Sequence, residues 1–199
     1  MISQQTLFNL VAGASVLFWS VQGILNNEVS TVRICITLVQ LTVGCLFLFR
    51  APLRLPAKGL RVIVVTLAPF LVNGLVFHVS PPPSQWWPVA IYVFVAGSAL
   101  TVVSLFYLGR SFAIMPALRE IRTGGPYRFV RHPAYLGEML MFIGCLLSFD
   151  QWWLATLALI AVFIVFGTRI LVEEDFLKGE SIYEEYCERV KWRLLPFAW

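Results

Sequence analysis

The sequence predicts an all-α integral membrane protein of about six transmembrane helices. Three observations carry that prediction. Hydrophobic residues make up 59% of the 199 positions and charged residues only 13%, about half the charged share of a soluble domain. The apolar residues fall into six long runs. The basic residues gather in alternate loops.

The first run, residues 6–25 (TLFNLVAGASVLFWSVQGIL), has no basic segment of the kind that precedes a cleaved signal, so it is expected to be a retained span. The second, third and fourth runs cover about 31–49, 60–79 and 87–108. Each approaches the ~20 residues needed to cross a bilayer. The fifth and sixth, about 134–149 and 152–168, are shorter. Their connector, SFDQ, is so brief that they should form a tight helical hairpin, either tilted or partly covered by protein.

With six spans, 14 of the 15 lysines and arginines lie on one side, in the loops after the second and fourth runs and after the sixth. The opposite loops NNEVS, SPPPSQ and SFDQ carry none, and Arg33 alone sits near that side. The positive-inside rule then places both termini in the cytoplasm. Trp86, Trp87, Trp152 and Trp153 fall at outer span ends, where the headgroup level suits tryptophan. The basic residues are split among short loops, so no nucleic-acid surface is expected. Four dispersed cysteines without a CxxC pair, and two histidines, argue against a metal site.

Polarity is uneven. Residues 1–108 read as a four-span scaffold, and residues 109–199 hold a long basic loop, the hairpin and a charged tail. PYRFVRHPAYLGE, residues 126–138, stands at the mouth of the fifth run. Gly124 and Gly125 permit a tight turn, and Pro133 suits the first turn of a helix. A helix start attracts anions, so a carboxylate or phosphate could sit there; equally, Arg128 and Arg131 could bind lipid phosphates and set topology. Arg169 and Glu173 are four residues apart and share a helix face. They read either as a snorkelling pair or as two walls of a polar pocket. The tail reads as a helix continuing from the sixth run, a break at Gly179 and an amphipathic helix.

LGRSFAI at 108–114, TGGPYRFVRHPAYLGE at 123–138, RILVEEDFL at 169–177 and the closing YEEYCERVKWRLLPF resemble the isoprenylcysteine carboxyl methyltransferase family, to which the phospholipid methyltransferases are similar. The likeness covers roughly the last 90 residues. It implies an integral-membrane enzyme that binds S-adenosylmethionine at the cytoplasmic face and methylates a lipophilic or small-molecule acceptor, possible acceptors including a carboxylate. The short, compact chain reads as a prokaryotic member of that family, in the cytoplasmic membrane. The cofactor contacts it implies are Arg119, Glu120, Ile121, Arg122, Tyr127, His132, Pro133, Ala134, Tyr135 and Glu173, with Arg169 against the acceptor. Phe112 stands where the family often has a polar residue. Two other readings stay open on sequence: an NADPH-dependent membrane reductase of the sterol reductase type, and a membrane scaffold without activity.

Overall fold

The computed structural model describes residues 4–26, 28–50, 55–56, 59–113, 117–118 and 121–199. The helices are α1 (Gln4–Leu25), α2 (Thr31–Phe49), α3 (Leu60–Val79), α4 (Pro88–Leu108), α5 (Pro133–Leu146), α6 (Trp152–Leu177) and α7 (Ser181–Arg189). The all-α expectation holds apart from one two-residue antiparallel pair, β1 (Leu55–Pro56) with β2 (Ala117–Leu118). That pair ties the loop after α2 to the loop after α4, so two basic loops lie at the same end of the bundle.

Local chemistry sets the helix starts. The Ser30 hydroxyl accepts from the Arg33 backbone N–H at 3.2 Å and caps α2. Pro88 and Pro133 open α4 and α5, at the one helical position that loses nothing by lacking an N–H. Beyond α6, Gly179 takes φ +92°, a conformation that separates α6 from α7 as the sequence suggested.

Helices α1–α4 and α6 are long and apolar enough to cross a membrane. The fifth run differs from expectation. Its helix has 14 residues, about 21 Å at 1.5 Å per residue, and it gives way to turns at Leu147 and Ser148. The sixth runs longer than expected, 26 residues to Leu177. Measured from Trp152, Arg169 lies about 26 Å along it, near the far edge of a ~30 Å hydrocarbon core.

α5 is short because it is packed against protein. Its glycines meet α4 backbone to backbone. A Cβ on Gly97 would lie 2.6 Å from the Gly137 carbonyl oxygen, and one on Gly144 would lie 2.8 Å from that of Ala90. Small residues permit this approach between membrane helices. Gly97→Leu should therefore separate α4 from α5 at a cost of roughly 1–3 kcal/mol, read as a lower Tm in detergent. An unchanged Tm would show that the seam does not hold the bundle together.

The core lies where α4, α5 and α6 meet. Phe94 takes an edge from Phe77 at 6.0 Å and from Trp86 at 5.5 Å, and Phe142 meets Phe166 at 5.8 Å. Trp86 corrects the expectation of a headgroup tryptophan: it is buried, and its indole N–H donates to the Pro81 carbonyl at 2.9 Å. Trp87, Trp152 and Trp153 are exposed. α1 packs on α2 and α2 on α4, whereas α3 packs on α6 and α5. A cavity lies between these two groups.

Candidate active site

A partly open cavity of about 520 Å³ runs from the basic end of the bundle into its apolar interior. Its polar end is lined by Arg122, Tyr127, Arg131, His132, Tyr135 and Glu173, with Arg169 and Glu138 at the neck. Its apolar arm is lined by Val16, Val39, Val43, Phe70 and Phe77 from α1, α2 and α3.

The loop before α5 builds one wall. Gly124 and Gly125 start a short turn that carries Tyr127. Gly125 takes φ +57°, and a Cβ there would meet the Tyr107 ring at 2.5 Å, so only glycine fits. Tyr127 is buried, and its carbonyl accepts from the Tyr186 hydroxyl at 2.8 Å. Burial, with Glu173 nearby, pushes the Tyr127 hydroxyl far above its ordinary pKa. It is therefore a neutral hydrogen-bonding group and not a base. The Tyr186 hydroxyl is pushed up by burial as well.

At the neck, three motif residues form one chain. The Tyr135 hydroxyl donates to Glu173 Oε2 at 2.6 Å and accepts from Arg169 Nε at 2.8 Å. Arg169 Nη1 donates to the Thr66 carbonyl of α3 at 3.1 Å. The Arg169 guanidinium also lies 5.2 Å from the Tyr135 ring centre. Tyr135 is stacked on His132 at 5.6 Å with 12° between the planes. The expected sharing of a face by Arg169 and Glu173 is thus realised through Tyr135.

A second cluster holds the tail against the motif. Glu174 is buried among three cationic or ionisable groups: Arg131 Nη1 at 3.1 Å, His132 Nε2 at 3.1 Å and Arg193 Nε at 2.8 Å. The backbone N–H groups of Arg131 and His132 donate to the carbonyls of Trp192 and Arg193 at 2.8 and 2.9 Å. Burial alone would lower the Arg131 pKa, but Glu174, assisted by Cys187, raises it. Arg131 is a fixed cation. Leu194 is buried in the core, whereas Phe197 is exposed.

Among the expected cofactor residues, Ile121, Arg122, Tyr127, His132, Ala134, Tyr135 and Glu173 line this one cavity. Pro133 is buried as the first residue of α5. Arg119 and Glu120 lie outside the described residues. Phe112 lines the cavity and packs edge-on against Phe47 at 5.6 Å, so that wall is apolar here. Sequence reasoning missed Glu138, which lines the neck within electrostatic reach of Arg169 and Glu173. Its signal was present, three residues after Tyr135 on the same helix face. It also missed Glu174 and Arg193, whose pairing joins distant segments.

Residues 85–185 match the sequence profile of phospholipid methyltransferases. The chain belongs to the phospholipid methyltransferase family. It is also 29% identical over 116 residues to protein-S-isoprenylcysteine O-methyltransferase B of Arabidopsis thaliana, a match covering 53% of this chain and 58% of that relative. The phospholipid methyltransferase match runs from the end of the α3–α4 connection to α7, and so takes in α4, α5, α6 and the cavity's polar wall. α1, α2 and α3 lie outside it, and they supply the apolar arm.

Proposed function

We propose that the protein is an S-adenosylmethionine-dependent methyltransferase acting on a lipophilic acceptor. One observation carries this reading: a single cavity joins a polar end, built by the motif residues, to an apolar arm between membrane helices. Such a shape suits a water-soluble and a lipid-soluble reactant meeting head to head. The proposed setting is a prokaryotic cytoplasmic membrane, with both termini and the polar end of the cavity on the cytoplasmic side. In this reading residues 109–199 form the catalytic region and residues 1–108 the scaffold that receives the acceptor.

The polar end fits the cofactor chemically. The whole cavity, at about 520 Å³, falls within the usual range for small-molecule sites, about 300–1,000 Å³. Ser111 Oγ and Arg131 Nε, on residues that line the cavity, are buried polar atoms without a hydrogen-bond partner among the described residues. Buried polar atoms ordinarily have partners, so these two are available to a polar ligand. Glu173 offers acceptor oxygens for a ribose or an amino group. Tyr127 and Tyr135 pack an aromatic base, and the start of α5 at His132 faces a carboxylate. When bound, S-adenosylmethionine supplies a methyl group already activated on a sulfonium. The chain's own residues then position the reactants and exclude water. Arg169 faces the acceptor's polar head, held in place by Tyr135 and Thr66. Glu138 stands beside it and can take a proton from a head group that carries one.

Calorimetry on the detergent-purified protein tests the reading. S-adenosylmethionine and S-adenosylhomocysteine should both bind, and Glu173→Ala should weaken each at least about tenfold, as expected for losing a hydrogen bond to a charged group. Binding of NADPH alone would transfer the protein to the reductase reading. Silence toward all three would favour an inactive scaffold.

A further inference from the structure

Three polar side chains line the apolar arm near its middle: Ser15 on α1, Gln40 on α2 and Asn73 on α3. Each stands near the midpoint of a helix that is otherwise strongly apolar, and so close to the bilayer centre. Some other polar residues in the spans bond locally, whereas the buried hydroxyls of Thr37, Thr66 and Ser104 have no partner among the described residues. Ser20, Thr42 and Thr101 donate to carbonyls one turn back on their own helices at 2.8, 2.8 and 3.0 Å. Among the described residues the Gln40 and Asn73 amides make no hydrogen bond; Gln40 is half-buried and Asn73 exposed. An amide without a partner in hydrocarbon is costly, and these two project into one cavity from separately packed helices.

We propose that Gln40 and Asn73 form a subsite for an oxygen-bearing group, a carbonyl or a hydroxyl, part-way along the acceptor's chain. This rests on the methyltransferase reading and sharpens its acceptor class: the chain behind the head group is not plain hydrocarbon. An amide can serve either oxygen group, because it carries two N–H donors and an acceptor oxygen. The spacing follows from α3. Thr66 fixes the level of the Arg169 guanidinium, and Asn73 lies seven residues further along the helix, about 10 Å deeper. The acceptor's second polar group therefore lies about 10 Å from the one that is methylated.

The test uses the protein in nanodiscs saturated with S-adenosylhomocysteine. Two probe series, fatty carboxylates and fatty amines, are each titrated in plain form, with a keto group and with a hydroxyl about 10 Å from the head. In at least one series the wild type should bind oxygenated probes about tenfold more tightly than plain ones. The keto and hydroxyl arms decide which oxygen is read. In the Gln40→Leu/Asn73→Leu double variant the preference should fall to about twofold or less, with S-adenosylhomocysteine affinity unchanged. Equal binding of plain and oxygenated probes by the wild type overturns the proposal, and so does a preference that survives in the double variant. Loss of S-adenosylhomocysteine binding in the double variant alone also overturns it, since the amides would then serve the fold. A wild type that binds no S-adenosylhomocysteine would overturn the methyltransferase reading, and the subsite with it.

Discussion

Arg169→Ala is expected to lower turnover at least about a hundredfold, while S-adenosylhomocysteine affinity shifts by less than about tenfold. The cause is local. Arg169 is buried and bonds both Tyr135 and the Thr66 carbonyl. Its positive charge lies within reach of Glu138 and Glu173. Removing it leaves two carboxylates at the neck without that counter-charge, and in the proposed reading the acceptor's head loses its facing cation. Glu173 keeps its bond from Tyr135, which is why the cofactor end should survive. Arg169→Lys should recover little of the rate. An ammonium keeps the charge but cannot bridge Tyr135 and Thr66 with a rigid fork. Single-turnover rates and calorimetry on the same preparations check both halves. A variant that still turns over but no longer binds S-adenosylhomocysteine would move Arg169 to the cofactor.

Glu174→Gln should cost roughly 3–5 kcal/mol, the usual penalty for removing one partner of a buried ion pair. Arg131, His132 and Arg193 would be left close together without their shared anion. The effect should concentrate in residues 178–199, because Glu174 and the main-chain bonds from Arg131 and His132 hold that segment down. Hydrogen exchange should show faster exchange at Arg193 and in α7, and S-adenosylhomocysteine affinity should fall because Tyr186 helps close the polar end. Exchange no faster than wild type would mean that the tyrosine cluster alone retains the tail.

The sequence made the spans legible because apolar runs and alternating loop charge are local signals. It misjudged α5 and α6, whose lengths are set by neighbours. The Gly97 and Gly137 contact lets α5 be short, and the exposed end of α6 is stabilised by the motif and tail that Glu174 grips. Trp86 misled for a similar reason, since a span-end tryptophan looks the same whether it faces lipid or Phe94. In the site, Arg169 and Glu173 share a face by their spacing on α6, and the resemblance points to both and adds Tyr135. Glu174 was harder to rank against Glu173, because adjacent residues in an acidic run differ only in direction. Gln40 and Asn73 had no sequence motif at all. Their position in the cavity depends on helix rotation, which hydrophobic periodicity fixes poorly when every face is apolar.

The brevity of α5 also shapes the landscape of the membrane. A helix of about 21 Å set within a ~30 Å hydrocarbon layer leaves its first residue, Pro133, some 9 Å short of the interface when its other end is level with the opposite face. The floor of the polar end is therefore a well sunk beneath the lipid surface. A water-soluble ligand descends into that well, and a lipid stays at its own depth. Lifting an acyl chain out of a leaflet costs about 0.8 kcal/mol for every methylene exposed to water. In the proposed methyltransferase reading, a sunken site removes most of that climb and lets an acceptor react without leaving the oil.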